Sequence, residues 1–182
     1  MSILKQATSA LHREAEHTDF VKLMISGKLT NEQYAQYLYQ LLPIYSLIEF
    51  GNRLHGVLAE LPGIERTQKI YDDFIELAGN YADTYYWVNA TINYQQYLIS
   101  LLNDPERRHL IIAHLYCRHM GDLFGGQMIA KRVPGSGSFY KFENVDTLKV
   151  NLRNILSDDL AEEACVAFKW AIAIAEDIVN EF

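Results

Sequence analysis

The chain has 182 residues, 49% of them hydrophobic and 21% charged, which suits one globular domain over residues 1–182 and excludes a disordered tail or a disulfide scaffold. A net charge of −7 and a pI near 5.3 argue against nucleic acid as a partner, because phosphate binding needs clustered Lys and Arg. No apolar run reaches the roughly 18 residues of a membrane span, residues 1–17 lack the apolar core of a secretion signal, and Cys117 and Cys165 have no metal-ligand spacing, so a soluble, cytoplasmic protein in a reducing compartment is expected.

Apolar residues recur mostly at three- and four-residue spacing, and strand signals are scarce, so the chain reads as all-α. A first helix is predicted over residues 2–17, with Ile3, Leu4, Ala7, Leu11 and Ala15 as its apolar stripe and His12 beside it. After a loop at 26–28, Thr30-Asn31-Glu32-Gln33 supplies an N-cap and capping box for a long helix to Leu61, with a bend at Pro43. Helices follow over 64–79, 81–88 and 89–103. Asp104-Pro105-Glu106 then caps a helix that continues into a glycine-rich segment. Residues 133–138 form a loop, and the last helices cover 145–155 and 158–182.

Gly121-Asp122-Leu123-Phe124-Gly125-Gly126 is the most informative segment. Each interior glycine costs a helix about 1 kcal/mol relative to alanine, so three of them imply close approach of the backbone to something, and a kink. At about 100° per residue, the three glycines fall on one arc together with Arg118 and Asp122. A GxxxG spacing alone suits close helix packing. The carboxylate suits instead a pocket with water or a polar ligand, because Asp against an apolar neighbour is costly. His12 is one of six histidines, and Glu16, one turn later, is placed to accept its second ring N–H, as around metal-binding imidazoles; spacing alone does not choose among the six.

LKQATSALHREAE at 4–16 and AHLYCRHMGDLFGGQ at 113–127 together resemble haem oxygenase. The resemblance runs along essentially the whole chain and ends without a membrane-anchor tail, which implies a soluble form. It implies a multi-helix fold in which haem b lies between a proximal N-terminal helix and a kinked, glycine-rich distal helix. By resemblance, His12 is the axial ligand of the haem iron, with Glu16 in support. Gly121, Gly125 and Gly126 form the backbone wall over the haem, and Asp122, Arg118 and Tyr45 hold the distal proton network. Lys5, Tyr116, Lys149 and Arg153 hold the propionates, the last two sharing a helix face at i, i+4. Two positions depart from the family pattern: Ala171 replaces an asparagine of the distal network and Ala175 a pocket phenylalanine.

The implied activity is oxidative cleavage of haem by O2 and reducing equivalents to biliverdin, with a prior for the IXα isomer, plus CO and ferrous iron. Electrons would come from an external donor protein, a ferredoxin or a flavin reductase, and a monomer is favoured. The alternative is a non-catalytic haem-binding, storage or sensing protein, which would use His12 but not Asp122. A thiaminase-type hydrolase of similar architecture would need a nucleophilic cysteine.

Overall fold

The structure, a computed structural model, describes residues 3–182, so the expected helix start at Ser2 lies outside the described residues. Among those residues there are eight α-helices and no strand: α1 Ile3–Glu16, α2 Asp19–Ser26, α3 Asn31–Leu54, α4 Thr67–Ala78, α5 Asn89–Asn103, α6 Ile111–Ile129, α7 Val145–Asn154 and α8 Ala161–Val179. None of them is long and apolar enough to cross a membrane.

α1 buries a slightly different face from the expected stripe. Leu4 and Thr8 are buried, with Leu11 and Ala15 half-buried, whereas Ile3 and Ala7 are exposed. Thr8 enters the buried face because its hydroxyl bonds back to the Leu4 carbonyl at 2.9 Å. α2 was not anticipated. Thr18 caps its start by accepting from the Val21 N–H, and Gly27, at φ 72°, closes it in the left-handed conformation that glycine adopts without strain.

α3 begins with the expected capping box, Thr30 and Gln33 exchanging hydrogen bonds at 3.0 and 3.2 Å. Pro43 sits inside it without ending it. The helix stops at Leu54 rather than Leu61, because Gly56 turns left-handed and a 3-10 turn occupies Val57–Glu60. Residues on every side of α3 are buried, so it is the central helix; Tyr34, Leu38, Leu41, Ile44, Tyr45 and Ile48 are almost wholly hidden. α4, α5 and α6 pack around it, and α8 closes the bundle against α1, α5 and α6.

Two expected helical stretches differ. Residues 81–88 are a 3-10 turn followed by extended chain, with Tyr85 at ψ 147° and Val88 at ψ 161°. Fully buried Gln40 holds that chain open: its amide donates to the Tyr86 carbonyl at 2.9 Å and accepts from the Val88 N–H at 2.9 Å. The predicted start at Asp104 forms only a turn, Asp104 Oδ1 accepting from the Glu106 N–H, before a 3-10 turn leads into α6 at Ile111. α6 then stays helical through all three glycines. Gln40→Leu is expected to orphan the buried Val88 N–H and cost about 1–3 kcal/mol in urea unfolding, with loss confined to the 79–88 connection in amide exchange.

Candidate functional site

A cavity of about 440 Å³ opens between α1 and α2 on one side and α6 and α8 on the other. His12 and Glu16 line it from α1, Phe20 and Met24 from α2, and Ala171 and Ala175 from α8. His12 Nδ1 lies 3.5 Å from Glu16 Oε2, and its ring meets that of Phe168 at 5.6 Å. The carboxylate stands beside one ring nitrogen, which leaves the other for a ligand.

The facing wall is α6, and its three glycines divide into two kinds. A Cβ on Gly121 would meet nothing within 4 Å, and one on Gly125 only Ile129 Cδ1 at 3.7 Å; both line the cavity. Gly126 does not line it. It is buried, and a Cβ there would meet Tyr140 at 3.0 Å, so its missing side chain serves packing against that ring.

Asp122 lies half-buried between these glycines, and Tyr45 of α3 donates to its Oδ2 at 2.7 Å. Loss of hydration raises its pKa to about 6, against the opposing pull of His119, the Tyr45 hydrogen bond, Arg118 and Arg66. Arg118 also lines the cavity, more than nine-tenths buried, with no hydrogen-bond partner on Nε or Nη2 and its guanidinium 5.8 Å from the Tyr94 ring centre. Such a buried cation fits a site that receives a polar or anionic group.

At the rim, Phe124 lines the cavity with its ring clasped by Lys149 Nζ at 4.2 Å and by the Arg153 guanidinium at 5.2 Å. Both cations therefore meet at the cavity edge. Tyr116 lines the cavity beside Arg118, while Lys5, exposed on α1, does not.

The family model described as heme oxygenase matches residues 1–175. The chain belongs to the heme oxygenase family. It is 28% identical to heme oxygenase 2 of Macaca fascicularis, over 97% of this chain and 64% of that one. It is 27% identical to heme oxygenase of Rhodella violacea, over 98% and 86%. The chain thus spans slightly less than two thirds of the first mammalian relatives. Among solved structures, heme oxygenase-2 from Synechocystis sp. PCC 6803 in complex with heme and NO superposes with a TM-score of 0.83 at 23% identity, over 100% and 86%. Heme oxygenase from Leptospira interrogans does so with 0.80 at 25%, over the whole of both chains.

Within this haem oxygenase fold, several buried polar residues escaped the sequence reading. His114 is fully buried: it accepts from the Tyr94 hydroxyl at Nδ1 (2.6 Å) and donates to Glu163 from Nε2 (2.9 Å), and burial lowers its pKa so that it stays neutral. His119 and Glu49 pair at 3.3 Å behind Tyr45. The only sequence signal for either pair was a histidine in a helix too apolar to have a polar face. Cys117 lines the cavity, but burial pushes its thiol up to about 12, so it is no nucleophile and a thiaminase-type mechanism has no support from it. A wider cleft of about 600 Å³, lined by Tyr81, Tyr85 and Glu181, contains none of the site residues.

Two predictions follow from this geometry. Gly121→Ala, entering open space, is expected to raise stability by up to about 1 kcal/mol, whereas Gly126→Ala is expected to lose that gain against Tyr140; chemical denaturation compares them. Because the folded pKa of Asp122 is raised to about 6, from about 3.9 in unfolded chains, its contribution to stability is full below about pH 4 and is lost as pH rises through about 6. Asp122→Asn is expected to flatten that part of the stability profile, read as melting temperature against pH.

Proposed function

We propose that the protein binds haem b in the cavity between α1 and α6 and cleaves it with O2 and external electrons to biliverdin, CO and ferrous iron, the IXα isomer being the expected product. The observation that carries this reading is the opposition of His12 on one wall to Gly121 and Gly125 on the other, with the Tyr45–Asp122 pair between the glycines. The residues present fit the group: a planar apolar ligand suits walls of Phe20, Met24 and Phe168, and its carboxylates suit the cations at the rim.

Bound through its iron, haem supplies both the metal that activates dioxygen and the ring carbon that is oxidised. His12 offers one imidazole nitrogen, and the Glu16 carboxylate stands 3.5 Å from the other. Gly121 and Gly125, with Ala171 and Ala175, line the cavity with small residues that would leave room for the group. Asp122, with its pKa near neutrality, holds a proton or releases it at the cavity wall while Tyr45 fixes its orientation. Arg118, unpartnered at Nε and Nη2, supplies a fixed positive charge beside it. Lys149 and Arg153, with Tyr116 and Lys5, are assigned to the propionates. The same cationic edge suits docking of an acidic electron donor such as a ferredoxin, or of a flavin reductase. A cytoplasmic monomer fits these assignments.

Reconstitution with haem, a reductant and oxygen tests the proposal: a bilin and CO are expected, and a stable oxygen complex without ring opening would reduce the protein to a haem carrier. His12→Ala is expected to abolish axial ligation, seen as a shifted Soret band. Asp122→Asn is expected to keep the band while slowing bilin formation by about 10²-fold or more. Bilin formation at the wild-type rate in Asp122→Asn would remove the proton role of Asp122.

A further inference from the structure

A half-exposed phenylalanine on the glycine helix gathers the two rim cations. Leu148 and Leu152 are buried in the core and dock α7 against α6, and the Asn151 amide donates to the Glu60 carbonyl at 3.0 Å. Lys149 and Arg153 each follow a buried leucine by one residue, so both project about 100° round the helix from its buried face. Like charges at i, i+4 repel, which opposes holding the two together. Both nevertheless lie against one ring: the centre of Phe124 is 4.2 Å from Lys149 Nζ and 5.2 Å from the Arg153 guanidinium carbon. These distances fall inside the roughly 6 Å over which a ring face attracts a cation. Phe124 is 54% exposed and lines the cavity. Among the described residues neither cation makes a hydrogen bond or an ion pair, so their N–H donors are uncommitted.

We propose that Phe124 is a specificity-determining residue: its ring holds Lys149 and Arg153 as a preformed pair of cations at the cavity mouth, and the pair selects a flat ligand with two carboxylates on one edge. A ring face attracts positive charge but offers no oxygen acceptor, so an arriving carboxylate finds the donors in place and free. A carboxylate of the chain at this position would gather the cations equally well, yet it would neutralise them and compete with the ligand. Holding two long side chains beforehand also lowers the cost of ordering them when the ligand binds. Arg153 presents a planar fork of donors and Lys149 a point charge, so each cation can take one carboxylate. A ligand with a single carboxylate engages one member of the pair, and an uncharged edge engages neither. Phe124 thus acts through the cations as their positioning residue. The inference rests on the haem-cleaving reading, which supplies the dicarboxylate; the contact of ring and cations belongs to the ligand-free chain.

Two measurements test it. In the ligand-free full chain, NMR is expected to show the Lys149 side-chain protons next to Nζ shifted upfield by the ring current of Phe124, and the shift to vanish in Phe124→Leu. Ordinary lysine shifts in the wild type overturn the proposal. Soret titration then compares haem with its dimethyl ester, whose edge carries no charge. Phe124→Leu is expected to weaken haem binding about fivefold, the scale of exposed cation–π contacts, and to leave ester binding within about twofold. Phe124→Tyr, which keeps the ring, is expected to restore haem binding. With Lys149→Met and Arg153→Met both in place, Phe124→Leu is expected to change haem binding by less than about twofold, because the ring then has no cation to hold. Equal losses for haem and ester, or an undiminished loss in the cation-free background, overturn the assignment and leave Phe124 a plain apolar contact. Absence of binding in every form, wild type included, would overturn the haem reading and the assignment with it, an outcome distinct from binding with equal losses.

Discussion

The rest of the structure depends on one polar seam between the central helix and the glycine helix. Tyr45, Glu49 and Asn52 project from α3 at four- and three-residue spacing and meet, in antiparallel order, Asp122, His119 and the Ile111 carbonyl of α6. Groups of this kind are costly to bury unless paired, so sliding α6 along α3 would orphan a carboxylate and an imidazole together. The seam therefore sets the register of α6 more sharply than apolar side chains alone can, since interchangeable aliphatic contacts tolerate small slips. Close approach along it is made possible by Gly51 of α3, where a Cβ would meet Leu102 at 2.6 Å and Ile111 at 2.9 Å.

With that register set, α6 serves two surfaces at once. Leu123 and Gly126 turn into the core, the latter under Tyr140, while Gly121 and Gly125 turn to the cavity opposite His12. The same residue type answers two demands: at Gly126 a neighbour stands where a side chain would be, and at Gly121 the space is open to the cavity. The helix can spend propensity in this way because tertiary packing, not local preference, supplies most of its stability.

The electrostatics follow from the same placement. Asp122 is hydrated poorly enough to favour its protonated form, yet it stands among cations and a donor hydroxyl that favour the charged form, and the balance lies near neutrality. A separate set, Tyr94, His114, Glu163 and Tyr97, joined by Arg107, which donates to the Tyr97 hydroxyl at 3.3 Å, closes the other side of α6 against α8 and α5, which suits a structural tie.

The sequence by itself determined the helical class, the capping box at Thr30, the bounds of α5, and, through the segments around His12 and Gly121, the family. These are local matters, settled by residues within a turn or two of one another. Only the tertiary structure decided that residues 81–88 are extended, because the amide that holds them, Gln40, lies 48 positions away from Val88. Only it separated Gly126 from Gly121 and Gly125, since a glycine carries no side chain to announce which neighbour it admits. His114, His119, Glu49 and Glu163 read as unremarkable polar residues in a linear chain. They gain meaning from burial, which turns each unpaired polar atom into a cost and so makes its distant partner part of the fold.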